Sequence, residues 1–178
     1  MLQKCSIIKV AIVFFNEPTK QHYLKEISKK ANIAHTSVIT HLTELKKQKI
    51  IIETREKKGK RTFPFYTANI DSDDYKTYKK LINQIQLEES NLINFLKDTC
   101  MPKTIIVFGS YQKGEDTETS DIDIFLECKK KELQLNTYET KLKRKIQLHF
   151  KDNFKEYPGE LQNNIINGTV LRGYLEAR

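Results

Sequence analysis

The sequence has little of what would make it a secreted, disulfide-bonded or membrane-spanning protein. Only three cysteines are present, at widely spaced positions with no CxxC pattern: Cys5, Cys100 and Cys128. That odd number favours reduced thiols over a disulfide framework or a cysteine zinc site. The longest apolar run near the start, Val10 to Phe15, has six residues, whereas a membrane span needs roughly 18–20. A cleavable signal pattern is also missing, so we expect a cytoplasmic protein that contacts no membrane.

Charge is distributed unevenly along the chain. The 178 residues carry a formal net charge of +8. Residues 1–70 contain 14 Lys and Arg against 5 Asp and Glu, a net charge of +9, whereas residues 98–178 contain 13 of each kind. A basic chain favours a nucleic-acid partner, and the whole excess lies in the first part. We therefore expect two functions on one chain, with domains at 1–70 and 98–178 joined by residues 71–97.

The first 70 residues show three helical patterns followed by a change of period. Apolar residues recur at helical spacing over residues 5–15, 20–31 and 36–45. Ile50 to Ile52 then begin a predicted strand, Gly59 lies in a charged tip, and Thr62 to Tyr66 form a returning strand. Three short helices followed by a basic hairpin resemble a winged helix-turn-helix domain. The resemblance implies that residues 1–70 bind DNA.

The same resemblance indicates which side chains would contact DNA. Small polar side chains at the N-terminal end of the third helix suit the major groove, and Lys and Arg suit phosphates. The expected contacts are Thr36, Ser37, Thr40, His41, Lys46, Lys58, Lys60 and Arg61. Winged helices also serve as protein-interaction modules, so a solvated basic surface used for protein contacts is an alternative.

Residues 75–97 form one long helical pattern between the two expected domains. Tyr78, Ile85 and Leu92 are spaced like successive heptads, with further apolar residues between them. Two interpretations stay open. The helix either packs onto a neighbouring domain or forms the interface of a homodimer.

The motif that carries chemistry lies within residues 104–126. Residues 105–108 predict an apolar strand that ends at Gly109-Ser110, and a second strand is predicted to begin at Asp121. Alternation along that strand puts Asp121 and Asp123 on one face, about 6–7 Å apart. Two such carboxylates repel each other unless a cation lies between them, and hard oxygen ligands favour Mg²⁺ or Mn²⁺. The Gly-Ser turn adds backbone amides and a hydroxyl that a ligand can approach closely.

An apolar strand, Gly109-Ser110, ten residues and then Asp121-x-Asp123 resemble the DNA polymerase β-like nucleotidyltransferase superfamily, and most closely its minimal nucleotidyltransferase branch. The resemblance implies a small mixed sheet with flanking helices over residues 98–178. The expected fold class is therefore α+β: an N-terminal winged helix-turn-helix, a long connecting helix and this domain. It also implies an enzyme in which Asp121 and Asp123 are catalytic ligands of Mg²⁺. Gly109 and Ser110 would bind the phosphates of an NTP, with ATP the expected donor.

One departure from the family pattern concerns the third carboxylate, which the family supplies from a later strand. The strand expected at residues 146–150 has Gln147 in that position and His149 on the same face. A neutral Gln147 cannot act as a general base, and two hypotheses follow. The chain is either a nucleotidyltransferase acting on a macromolecular acceptor, such as the HEPN-type toxin of a prokaryotic toxin-antitoxin pair, or a DNA-binding transcriptional regulator. In the second case the C-terminal domain is a degenerate nucleotide sensor or a dimerisation module.

The tail, residues 154–178, shows apolar residues at helical spacing. We expect it to pack on the sheet as a helix. Gly168 and Gly173 indicate breaks or close contacts within it.

Overall fold

The computed structural model describes residues 5–176, apart from the side chains of Lys58 and Lys155. The chain divides into two compact units, Met1–Lys79 and Lys80–Arg178. The division falls inside the segment that was predicted to connect two domains. Helices accompany a two-stranded and a four-stranded sheet, which confirms the α+β class. No helix in the described range is both long and apolar enough to cross a membrane.

The N-terminal unit has three helices before a strand hairpin, in the predicted order. The elements are α1 (Ser6–Asn16), α2 (Leu24–Ala31), α3 (His35–Lys47), β1 (Ile51–Lys58) and β2 (Arg61–Ala68). Pro18 follows the end of α1, where it interrupts no helical hydrogen bond. Phe14, Ile27 and Leu42, one from each helix, are fully buried and form the core of this unit.

The hairpin is an antiparallel pair with a two-residue turn. The register runs from Ile51 opposite Ala68 to Lys58 opposite Arg61. Gly59 has a φ of +64° at the tip, in the left-handed region that glycine adopts without steric cost. Two backbone hydrogen bonds of 2.9 Å between His22 and Tyr66 attach the segment before α2 to strand β2.

The predicted long helix is present as two consecutive helices, α4 (Asp73–Ser90) and α5 (Leu92–Cys100). Asn91 interrupts them with a φ of +67°. The Ser90 hydroxyl explains the break, because it donates to the Leu87 carbonyl (2.7 Å) and accepts from the Leu92 amide (3.1 Å). Tyr78 and Leu81 of α4 are about half exposed, and the homodimer stays a prediction.

The C-terminal unit is built on a mixed sheet with strand order β5-β4-β3-β6. Strands β4 and β5 are parallel, and the other neighbours are antiparallel. The remaining elements are β3 (Thr104–Phe108), α6 (Gly109–Lys113), β4 (Ile122–Glu127), α7 (Asn136–Leu142), β5 (Ile146–Lys151), a 3-10 turn (Phe154–Glu156), α8 (Gly159–Ile166) and β6 (Thr169–Gly173). This arrangement confirms the predicted mixed sheet with flanking helices.

Each face of this sheet is covered by its own apolar layer. Ile105, Val107 and Ile124 point to a cluster that includes Leu92 and Leu96 of α5. The alternate residues Ile106, Phe108 and Phe125 point to a second cluster that includes Phe154 and Ile165. All five residues of β3 are therefore buried, and the position of the turn that follows β3 is fixed by packing on both faces.

The prediction that the tail is a helix is wrong beyond residue 166. Helix α8 covers only Gly159–Ile166, and Thr169–Gly173 form β6, an edge strand paired with β3. Gly168 permits the change, because a Cβ there would lie 2.6 Å from Ile106 Cγ2 and 2.7 Å from the Val107 carbonyl oxygen. The chain thus approaches β3 so closely that only glycine fits at residue 168.

Candidate active site

The predicted phosphate turn and the predicted metal-binding strand meet at the end of β3. Gly109 has a φ of +76°, and Phe108 beside it is the pairing partner of Asp123 on β4. A Cβ added at residue 109 would lie 2.7 Å from Asp123 Oδ2. Glycine is therefore required here both for its backbone conformation and for the space that the Asp123 carboxylate fills. Ser110, the next residue, is half-buried at the start of α6.

Asp121 and Asp123 alternate with buried residues as predicted, but Asp121 is outside the strand. Strand β4 begins at Ile122 rather than at residue 121. Ile122 and Ile124 are fully buried, Asp123 is partly exposed and Asp121 is exposed. The Ser120 hydroxyl, which accepts a hydrogen bond from the Thr117 amide (2.9 Å), fixes the loop before Asp121. Both carboxylates can thus reach a ligand from solvent.

A histidine, rather than a third carboxylate, contacts Asp123. The parallel register places Gln147 directly beside Asp123, and Gln147 is exposed. Two residues along the same face, His149 reaches back, and its Nε2 lies 3.1 Å from Asp123 Oδ1. The Phe108 ring packs against the imidazole with ring centroids 5.1 Å apart. The sequence had placed His149 on this face without giving it a role.

Glu139, the acidic side chain that precedes the expected third-carboxylate strand, is engaged elsewhere. Its Oε1 accepts the Ile146 amide (3.1 Å), and its Oε2 accepts the Lys145 ammonium (3.0 Å). The hydrogen bond from Lys145 and the one from the Ile146 amide lower the pKa of the Glu139 carboxyl. Glu139 therefore fixes the start of β5 as an ionised acceptor.

A buried ion pair between Asp116 and Arg144 stabilises the segment that connects the Gly109-Ser110 turn to Asp121. Arg144 donates from Nε (3.3 Å) and Nη2 (3.2 Å) to Asp116 Oδ2. Asn83 Nδ2 donates to Asp116 Oδ1 (2.8 Å) and to the Tyr111 carbonyl oxygen (2.9 Å). Asp116 is only 2% exposed and Arg144 only 7%. Sequence reasoning missed this group, because no pattern distinguishes Asp116 from the neighbouring acidic residues.

Tyr111 completes the same network. Burial, together with the nearby Asp116 carboxylate, raises the pKa of the Tyr111 hydroxyl. The hydroxyl therefore stays protonated at neutral pH and donates to the Asn83 carbonyl oxygen (3.2 Å). Helix α6, which carries Gly109 and Ser110, is thus hydrogen-bonded to the part of α4 that lies in the same unit.

An open cavity of about 640 Å³ lies beside Asp121. Its wall includes an amide and a hydroxyl on α7, Asn136 and Thr140, and the cationic residues Lys143 and Lys145. A volume of this size is within the range of about 300–1,000 Å³ typical of small-molecule sites. The wall also includes the carboxylates of Glu118, Asp121 and Glu139, so the lining is polar and mixed in charge.

The residues predicted to contact DNA lie in the N-terminal unit, on α3 and the hairpin. Thr36, Ser37 and Thr40 are exposed on α3, and His41 is half-exposed. The Lys46 ammonium is paired with the Glu53 carboxylate of β1. Lys60 and Arg61 are exposed at the hairpin tip, whereas the side chain of Lys58 is outside the described part of the chain.

Comparison with known proteins connects the C-terminal unit to a family. Residues 90–174 match the family described as Polymerase beta, Nucleotidyltransferase. Two proteins of Methanocaldococcus jannaschii, which carry protein adenylyltransferase in their names, are 59% and 56% identical to this chain over 32 residues. The aligned part is 18% of this chain and 32% and 37% of the two relatives, so the chain spans about a third of their length.

Among solved structures, the chain is similar to one from Methanosarcina mazei Go1 described as a possible transcriptional regulator. The two share 18% sequence identity with a TM-score of 0.36, over 54% of this chain and 83% of the other. A similarity this low carries no argument about fold or function. The family match over residues 90–174 has a firmer basis, because those residues include the Gly-Ser turn, Asp121 and Asp123. Over residues 90–174, therefore, the chain is similar to the polymerase β nucleotidyltransferase family.

Proposed function

We propose that the protein transfers a nucleotidyl group from an NTP, with ATP the expected donor, to a hydroxyl of a macromolecular acceptor. The observation that carries the proposal is the contact between the two halves of the motif. Gly109 lacks a Cβ where one would lie 2.7 Å from Asp123 Oδ2, so the phosphate turn and the carboxylate strand form one site. An isolated Asp-x-Asp strand would not need that space.

The residues present fit a divalent cation. Asp121 and Asp123 offer hard, accessible oxygen ligands, and Asp123 lies directly against the glycine turn. When bound, Mg²⁺ or Mn²⁺ would polarise the α-phosphate and neutralise charge on the departing pyrophosphate. Ser110 and the backbone after Gly109 would orient the phosphates, and His149 would keep the Asp123 carboxylate in position.

The reaction itself is a substitution at phosphorus. The acceptor oxygen forms a bond to the α-phosphorus while the bond from that phosphorus to the bridging oxygen breaks, and pyrophosphate leaves. The hydroxyl proton passes to solvent or to a nearby carboxylate. The product is an acceptor that carries a nucleoside monophosphate.

A protein is the acceptor class that we favour. The two Methanocaldococcus relatives carry protein adenylyltransferase in their names, although this chain spans about a third of their length. The motif also resembles that of minimal nucleotidyltransferases, for which a HEPN-type toxin is a typical acceptor. A small all-helical protein encoded by a neighbouring gene is the acceptor to test first.

Asp123→Asn tests the proposal because it removes one carboxylate charge at the site. We expect transfer of label from α-labelled ATP to an acceptor in cell extract to fall by more than about a hundredfold. Asp98→Asn, the same change at an exposed position on α5, is the matched control and should leave transfer unchanged. Equal transfer by the two variants would refute the assignment of Asp123.

A second activity, DNA binding by a winged helix-turn-helix at residues 1–70, is supported by the shape and charge of the N-terminal unit. Three helices precede a hairpin whose tip exposes Lys60 and Arg61, and residues 1–70 carry the net charge of +9. With an inactive C-terminal domain, this activity would make the protein a transcriptional regulator. That alternative predicts NTP binding without transfer.

Lys60→Gln combined with Arg61→Gln tests the DNA proposal. If both cations contact phosphates, the slope of log K against log salt concentration should become shallower by about 2. Fluorescence anisotropy with duplex DNA measures that slope. Lys25→Gln combined with Lys29→Gln removes the same charge from α2 and serves as the control. Identical slopes for the two double variants would show that Lys60 and Arg61 at the hairpin tip do not contact DNA phosphates.

A further inference from the structure

Three potential metal ligands converge in the N-terminal unit, between the end of α1 and the first turn of α2. They are Glu17, His22 and Glu26, and one donor atom from each lies within 4.8 Å of the others. Neither nucleotidyl transfer nor the proposed DNA contacts use this cluster. It therefore calls for a separate explanation.

The His22 imidazole is buried between acceptor oxygens of Glu17 and Glu26. The side chain is fully buried, and its Nε2–H donates to the Glu17 carbonyl oxygen at 3.3 Å. A carbonyl only accepts, so this hydrogen bond leaves the lone pair on Nδ1. Among the residues that the structure describes, Nδ1 has no hydrogen-bond partner. A buried nitrogen without a partner costs about 1–3 kcal/mol.

The Glu26 carboxylate faces that unpartnered nitrogen. Glu26 Oε1 lies 3.4 Å from His22 Nδ1, so two acceptors point at each other. Such a pair is stable only with a proton or a cation between its members. Two ligand atoms at about 2.0–2.1 Å from a tetrahedral Zn²⁺ are about 3.3–3.4 Å apart, which is close to this separation.

The donors are of kinds that bind Zn²⁺, imidazole nitrogen and carboxylate oxygen. One imidazole and two carboxylates supply three ligands, and water can take the fourth place. The second ring nitrogen of a metal-binding histidine is usually hydrogen-bonded to a carboxylate or a backbone carbonyl, as Nε2 is to Glu17. Imidazole favours Zn²⁺ over Mg²⁺ and Ca²⁺.

Two ammonium groups lie beside the carboxylates: Lys20 contacts Glu17 Oε1 (3.1 Å), and Lys30 contacts both Glu17 and Glu26. The Lys30 ammonium contacts Glu26 Oε1 (2.6 Å) and also Glu17 Oε2. Burial raises the pKa of both carboxyls, but the hydrogen bonds from Lys30, joined by Lys20 at Glu17, outweigh it and lower each pKa. Both groups are thus ionised at neutral pH. The Lys30 side chain is 35% exposed, so it can move into solvent and leave the two carboxylates to another cation.

We propose that Glu17, His22 and Glu26 bind a divalent transition-metal ion, with Zn²⁺ the best match, in the place that the Lys30 ammonium takes between the two carboxylates. The ion links the end of α1 to α2. It also reaches β2, because the His22 backbone is hydrogen-bonded to Tyr66. Metal binding therefore stiffens the three elements around the helical core of this unit. The site does not depend on the proposed transferase activity.

The test is calorimetric titration of the full chain with Zn²⁺, in a variant with Asp121→Asn and Asp123→Asn that removes the other proposed metal site. We expect one equivalent of Zn²⁺ to bind. Because His22 is fully buried, the further substitutions are made at partly exposed ligands. Glu26→Gln should lower the affinity at least about tenfold. Glu44→Gln on α3, which removes the same charge elsewhere, should leave it unchanged.

Lys30→Gln provides the sharper comparison, because only a metal site in the place of the ammonium predicts tighter Zn²⁺ binding. Without the competing ammonium, Zn²⁺ should bind about fivefold more tightly. Lys29→Gln, one residue away on α2 and exposed, is the matched control. The ¹⁵Nδ1 resonance of His22 should shift on Zn²⁺ addition while Nε2 keeps its proton.

Three results would overturn the proposal. They are no binding of Zn²⁺ to the variant lacking Asp121 and Asp123, equal affinities of the Glu26→Gln and Glu44→Gln chains, and a Lys30→Gln chain that binds no more tightly than Lys29→Gln. An His22 ring protonated on both nitrogens and unaffected by Zn²⁺ would identify the contact as an imidazolium–carboxylate pair instead.

Discussion

Gly109 is the single residue on which the geometry of the candidate active site depends most. Gly109→Ala should cost about 1–2 kcal/mol of folding free energy through its positive φ and should also displace the Asp123 carboxylate. Gly59→Ala is the matched control, because Gly59 has a similar φ of +64° but no atom within 4 Å of an added Cβ.

Urea unfolding and Mn²⁺ titration separate these two effects. Both alanine variants should lose stability, but only Gly109→Ala should lose affinity for Mn²⁺. If Gly109→Ala bound Mn²⁺ as well as Gly59→Ala did, the close approach of Asp123 would have no role in metal binding.

His149 is expected to position Asp123, whose neighbour in the register is Gln147. His149→Ala should weaken Mn²⁺ binding by about tenfold or more, because groups that orient a metal ligand contribute this much to affinity. Gln147→Ala, at the exposed neighbour of Asp123 in the register, should have little effect. Calorimetry measures both. A larger loss of Mn²⁺ affinity in Gln147→Ala than in His149→Ala would show that Gln147, and not His149, supports the metal site.

At the level of elements, the buried ion pair between Asp116 and Arg144 connects the loop before β4 to the start of β5. Asp116→Asn removes the buried carboxylate that faces the Arg144 guanidinium, which should cost about 3–5 kcal/mol of stability. Lys145→Gln breaks the neighbouring pair with Glu139, in which Lys145 is 77% exposed, and should cost less than about 1 kcal/mol. Chemical denaturation compares them. Similar losses would show that burial adds nothing to the first pair.

Elements determined by local patterns could be predicted from the sequence. The turn at Gly109 and the alternation around Asp123 depend on residues close together in the chain, and the structure brings these two positions together. The hairpin was also predictable, since apolar strands flank a charged tip with Gly59.

Elements determined by long-range packing could not be predicted. The contact of His149 with Asp123 depends on the parallel register of β4 and β5, which a crossover connects. Strand β6 has apolar residues that also fit a helix, and only its pairing with β3 selects the strand. Asn91 interrupts the predicted long helix through hydrogen bonds of Ser90 that helical periodicity does not reveal.

At the level of the whole molecule, the two units differ in charge as well as in fold. The net charge of +9 lies within residues 1–70, whereas residues 98–178 balance 13 basic against 13 acidic residues. A protein that only coats nucleic acid has no need of Asp121 and Asp123 beside a glycine turn. We therefore regard transfer chemistry in the C-terminal unit as the central proposal and DNA binding by the N-terminal unit as a second, separate proposal.

The most direct measurement uses ATP labelled in either of two positions. The protein, ATP, Mg²⁺ or Mn²⁺ and a candidate acceptor are incubated with label in the α-phosphate or in the γ-phosphate. Nucleotidyl transfer predicts that the acceptor gains the α label and none of the γ label, and that Asp123→Asn abolishes the gain. Transfer of the γ label, or binding of ATP without transfer of either label, would contradict the account.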